Sequence, residues 1–183
     1  MNTETITIVV SIISAAIAFI SVFFARRAVE RADKMLSMQV ITHIFTSYSS
    51  IEMNENFVIV WKKYLEMWRR EYPDDPNKAA EKVFYGVPLS DDAAQAFYDE
   101  TDPDSEESRA VDSVLLFWLY ISLLVSQKIL NIEQLSAFMT PRILGFLDPI
   151  EKAKARKFGY QVEPKSSLHT LNERWKKKYP ETY

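Results

Sequence analysis

The pattern of hydrophobic and polar positions changes character abruptly after residue 25. Residues 5–25, TITIVVSIISAAIAFISVFFA, are 21 positions without a charge, 16 of them apolar. At about 1.5 Å per residue, a helix of that length reaches about 31 Å, the thickness of a bilayer's hydrocarbon core. The remaining five are Thr or Ser, whose hydroxyls bond back to helix carbonyls and are tolerated in lipid. The pattern predicts a transmembrane helix. A cleaved signal peptide fits less well. Residues 1–4, MNTE, carry no Lys or Arg, the apolar run exceeds a signal core, and no clean small-x-small site follows.

From residue 26 the pattern turns amphipathic. Met35, Met38, Ile41 or Thr42, and Phe45 or Tyr48 recur at spacings of three and four. The helix is therefore predicted to run on to about residue 50 with no loop, with Glu30 and Lys34 as an i,i+4 pair. A second helix is predicted over residues 54–72. Phe57, Trp61, Tyr64, Leu65, Trp68 and Tyr72 line one side, and Lys62, Lys63, Arg69 and Arg70 the others. Basic residues beside aromatics can stack nucleic-acid bases, but strict helical spacing of the aromatics favours a core face.

Pro73 ends that helix, and residues 73–107 are acidic and broken by prolines. They read as a partly mobile insertion holding one short helix, residues 92–99, capped by Ser90. Residues 108–130 are the most apolar stretch after the first. The apolar stretch from Val114 to Val125 is 12 residues long, with Asp112 just ahead and Ser126, Gln127 and Lys128 behind, which suits a buried core helix better than a second span. Asp102 is predicted to cap this helix, with Pro103 at its first position. Asn131 and Gln134 form a capping-box variant. Thr140-Pro141 and Asp148-Pro149 repeat the cap-proline signal, predicting helices over residues 132–139, 141–147 and 149–157, the last either separate or continuous with its neighbour through a kink. Gly159 is predicted to stop the run. A last helix follows Ser166 or Ser167, with Leu168, Leu171 and Trp175 on one face and Lys176, Lys177 and Lys178 at its end.

The fold class is thus all-α: one N-terminal transmembrane helix, then a helical bundle over residues 26–183. Its expected core is Met38, Ile41, Phe45, Phe57, Trp61, Leu65, Trp68, Leu115, Trp118, Leu119, Ile121, Leu124, Phe138 and Leu144.

Charge sets the orientation. Arg26, Arg27, Arg31 and Lys34 crowd the C-terminal side of the apolar run, and basic flanks stay cytoplasmic. Residues 1–4 are then outside and the bundle is in the cytoplasm. Ser11, Ala15, Ala18 and Val22 lie on one helical stripe. Small residues there admit a close partner helix, of another protein or of a second copy.

The net charge of −3 is segregated: residues 71–112 hold 13 acidic and 3 basic residues, and residues 151–183 hold 4 and 9. The basic tail therefore faces a choice between anionic lipid, met by Lys176, Lys177 and Lys178, and the chain's own acidic segment. Nucleic acid is disfavoured, because the cations fall in two separated groups without a recognition motif.

Little chemistry is spelled out. With no cysteine and three glycines, thiol chemistry, Cys-based metal sites and glycine-rich phosphate loops are excluded. Asp102, Asp104 and Glu106 mimic the start of a calcium loop, but Glu107 and Ser113 occupy its required Gly and Glu positions. His43 reads as a core-edge histidine, and His169 with Glu173 as a surface i,i+4 pair. No catalytic, cofactor or metal residue is predicted.

The apolar run followed by FFARRAVERA, and the block VLLFWLYISLLVSQKILNIEQLSAFM, resemble a loosely defined group of bacterial proteins. That group has one membrane helix and a cytoplasmic helical domain. The likeness covers roughly residues 5–50 and 110–150. It implies the bacterial inner membrane as location and no particular activity. The resulting expectation is a membrane-anchored interaction module or accessory subunit of a larger complex. The alternative is a tethered sensor with a pocket near Trp61, Trp68 and Trp118.

Overall fold

The computed structural model describes the backbone of residues 3–136, 139–162 and 167–180, and side chains within those ranges from Ala18 onward. The regular structure among these residues is entirely helical. It comprises α1 (Thr3–Tyr48), α2 (Ile51–Glu71), α3 (Pro76–Phe84), α4 (Asp91–Glu100), α5 (Glu106–Ser126), α6 (Ile132–Ser136), α7 (Leu144–Phe158) and α8 (Leu168–Lys178), with a 3₁₀ turn at Pro141–Ile143. The chain divides into two units, residues 1–42 and 43–183.

In the first unit, α1 runs without a break through Ala25 and Arg26, as the sequence predicts. Met38 was expected in the core and is instead 70 % exposed. Apolar residues occur at every angular position of this helix, so periodicity does not fix which face turns inward.

The second unit begins with the last turn of α1. Phe45, also expected inside, is 51 % exposed, and its neighbour Ile44 is buried instead. Tyr48 packs its ring 5.1 Å from Phe57 and 6.0 Å from Phe117. Ser50 then caps α2, accepting the Met53 N–H at 3.2 Å. The helix buries Phe57, Val60, Tyr64, Met67 and Trp68. Trp61 and Leu65 are half-buried at its flank.

Helix α5 lies along α2 and also meets α8. Among the described residues it is the one helix long and apolar enough to cross a membrane. Its packing is that of a core helix: Val114, Leu115, Phe117, Trp118, Ile121, Leu124 and Val125 are all buried. Trp118 meets Trp175 of α8 edge to face, with ring centroids 6.4 Å apart. Each such side chain contributes about 1.5–3 kcal/mol by leaving water. The cap of α5 is Ser105, not Asp102. Ser105 accepts the Ser108 N–H at 3.1 Å, while Asp102 closes a local turn on the Asp104 N–H. A Ser in extended backbone outcompeted the Asp-Pro signal three residues earlier.

Residues 73–107, which read as an insertion, contribute to the interior. Ala79 of α3, Leu89, and Ala94 and Phe97 of α4 are buried, and α4 packs on α7.

Of the two readings at Asp148-Pro149, a new helix start or one helix continuing through the proline, the second holds. Pro149 sits inside α7, and Asp148 is a buried helical residue rather than a cap. Proline has no N–H to give to the carbonyl of residue 145. That carbonyl, of Gly145, instead accepts the Leu89 N–H at 3.1 Å. A neighbouring loop thus supplies the hydrogen bond that the helix lost. Phe138, expected in the core, lies outside the described residues.

Candidate functional site

The cationic collar predicted at the membrane surface is borne on one stretch of α1. Arg26, Arg27, Arg31 and Lys34 are all exposed. Glu30 pairs with Arg26 at 3.2 Å, four residues back, not with Lys34. The Arg27 guanidinium lies 4.8 Å from the centroid of the Phe23 ring. Ala18 and Val22 are exposed on the small-residue stripe, while the side chains of Ser11 and Ala15 lie outside those described.

The segregated charges partly meet each other. From α7, Lys154 reaches Asp112 of α5 at 2.6 Å and Arg156 reaches Asp91 of α4 at 3.0 Å. Lys157 donates to the Tyr98 carbonyl at 2.9 Å. Three of the four cations of α7 therefore dock the acidic segment. At the end of α8, Lys178 pairs with Glu133 of α6 and Lys176 with Glu173 at 3.4 Å, and Lys177 is exposed. Exposed pairs of this kind contribute about 0–1 kcal/mol and leave the lysines able to exchange partners.

Between α7 and α8 lies a buried polar junction that sequence reasoning missed. Asp148 and Glu151 are three apart on α7, and both are buried. Asp148 Oδ2 is 3.0 Å from His169 Nδ1, so His169 turns to α7 rather than to Glu173. Asp148 Oδ1 accepts no aligned hydrogen bond but has Lys152 Nζ at 3.1 Å. Glu151 accepts the Leu168 N–H at 3.0 Å, at the start of α8. Ser167 caps that helix on the Thr170 N–H, and its carbonyl accepts the Ser122 hydroxyl of α5 at 3.1 Å. Burial first, and then the neighbouring Asp148 carboxylate, push the Glu151 carboxyl up to about 7. The only signal was an Asp and a Glu three residues apart, and the Asp-Pro cap motif masked it by placing Asp148 outside the helix.

The arrangement docks one helix on another. It also orients an imidazole whose outer edge reaches solvent. Among the described residues, no group of three His, Asp or Glu is arranged to hold a metal ion. His43, expected at a core edge, is exposed. The three tryptophans proposed for a sensor pocket take different places. Trp118 and Trp68 are buried, and Trp61 lines a groove of about 310 Å³ with Leu65, Val83, Phe84 and Arg142.

Comparison with protein-family models, curated proteins and solved structures found no match.

Proposed function

We propose that this chain is a membrane-anchored helical interaction module, an accessory or scaffolding subunit of a larger membrane assembly without catalysis of its own. One observation carries the reading: a single 46-residue helix joins an uncharged 21-residue run to a cationic collar and leads directly into a helical unit. In this reading residues 5–25 span the bilayer, and Arg26, Arg27, Arg31 and Lys34 hold the C-terminal side in the cytoplasm. The stripe Ser11, Ala15, Ala18 seats a partner helix, either a second copy or another subunit, and Lys176, Lys177 and Lys178 add a contact to anionic lipid.

The experiment has two arms. A C-terminal reporter that is active only outside the cytoplasm should stay dark. A signal from it reverses the orientation and opens the α5 helix to reassignment as a span. Gentle solubilisation and affinity capture of the full chain should bring down a stoichiometric partner or a second copy. Repeated recovery of a lone monomer overturns the module reading.

A further inference from the structure

A cleft of about 330 Å³ opens between α2, α4 and the chain leading into α5. That volume is at the lower end of small-molecule sites and has room for roughly ten heavy atoms. Its floor is apolar: Met67 and Phe97, both buried side chains, with Ala93 and Ala96 beside them. Its rim is charged and unbalanced, with Glu71, Glu100, Asp102 and Glu107 against Lys63 and Arg70. Both cations are already committed. Lys63 sits between Glu66 at 3.2 Å and Glu107 at 3.0 Å, and Arg70 between Glu66 at 3.1 Å and Glu100 at 2.8 Å. Glu71 and Asp102 are exposed and meet no cation among the described residues.

We propose that this cleft binds a small organic cation, an amine carried on an apolar body. The apolar floor takes the body, including an aromatic ring that can pack on Phe97. Glu71 and Asp102 at the rim take the ammonium, since the other two rim carboxylates are already paired with Lys63 and Arg70. An anionic ligand would have to displace carboxylates already on Lys63 and Arg70, and a neutral one would gain nothing from Glu71 and Asp102. The cavity and its floor make the site, and the charge surplus selects the ligand. The assignment is independent of the membrane reading.

Calorimetric titration of the full chain in mild detergent tests it, with phenethylamine as probe and 2-phenylethanol as its uncharged counterpart. The amine should bind saturably and the alcohol much more weakly. Glu71→Gln and Asp102→Asn should each weaken the amine about fivefold, as expected for one partly exposed ion pair. Ala96→Phe, which fills the floor, should abolish binding. Equal binding of amine and alcohol overturns the charge assignment. Amine binding that survives Ala96→Phe places the cation on the outer surface and overturns the cleft. Absence of binding by the parent chain overturns both. If Ala96→Phe does not fold, the two carboxylate variants decide: affinity unchanged in both sinks the proposal.

Discussion

Gly86 and Gly145 pack backbone against backbone. A Cβ placed on Gly145 would collide with the Gly86 carbonyl and would lie 2.7 Å from the Tyr64 hydroxyl. A Cβ on Gly86 would lie 2.8 Å from the Arg142 carbonyl oxygen, at a residue whose φ of +61° already favours glycine. Tyr64 donates its hydroxyl to the Val87 carbonyl at the same spot, and Leu89 repairs the bond that Pro149 removes from α7. Two of the chain's three glycines thus fasten the loop before α4 to α7.

Gly145→Ala should therefore destabilise the chain by about 3 kcal/mol, since the colliding atoms are backbone. Gly86→Ala should cost a comparable amount. Gly159→Ala is the control: φ is +70° but nothing lies near its Cβ, so about 1 kcal/mol is expected. Urea unfolding followed by circular dichroism would rank the three. Equal costs at Gly145 and Gly159 would remove the close approach as the reason.

Glu151 should give the chain a pH-dependent stability of uncommon sign. Its carboxyl is held near pH 7 in the folded chain, against about 4.5 when exposed. Asp148, Lys152, His169, Asp112 and Tyr160 are the other titratable groups tied to this junction. The folded state keeps a proton that the unfolded state releases. This contribution is complete below about pH 4.5 and is lost as pH rises through 7, a difference on the order of 3 kcal/mol. Glu151→Gln keeps an oxygen for the Leu168 N–H and should flatten stability across that window. Melting at pH 5 and pH 8 checks it, and an unchanged slope in the variant would reject Glu151 as the source.

Trp118→Ala should cost about 3–5 kcal/mol, because the ring is enclosed between α5 and Trp175 of α8. Trp175→Ala should cost nearly as much, and the double variant less than the sum, since the two rings share one contact. Strictly additive losses in denaturant unfolding would show that the rings do not support each other.

Changing Lys176, Lys177 and Lys178 together to Gln should weaken flotation of residues 28–183 with anionic vesicles at low salt, by about 1 kcal/mol for each lysine that reaches the surface. Stability should change little, since the pairs to Glu133 and Glu173 are exposed. Unaltered flotation would return these lysines to internal pairing alone.

The reading of an apolar helix at residues 108–130 as core depended on length and on Asp112, and the structure buries one face of it and leaves Leu116, Tyr120 and Leu123 exposed. The charge segregation was equally plain, yet sequence allowed both lipid and internal docking. Distances settle α7 in favour of its acidic neighbours and leave the end of α8 exposed. The candidate cleft could not be read in advance, because its floor comes from α2 and α4 and its rim from three separate segments.

By itself, the sequence determined the all-helical class, the unbroken passage from apolar run to amphipathic helix, and several helix ends, though not the helix at Pro76–Phe84. These depend on neighbours within about four residues: caps, prolines and 3.6-residue spacing. Only the tertiary structure decided that Ile44 rather than Phe45 turns inward, that α7 runs through Pro149, and that His169 meets Asp148. Each of those outcomes depends on a partner from elsewhere in the chain, such as Leu89 supplying a hydrogen bond to Gly145. A local pattern carries no record of such a partner.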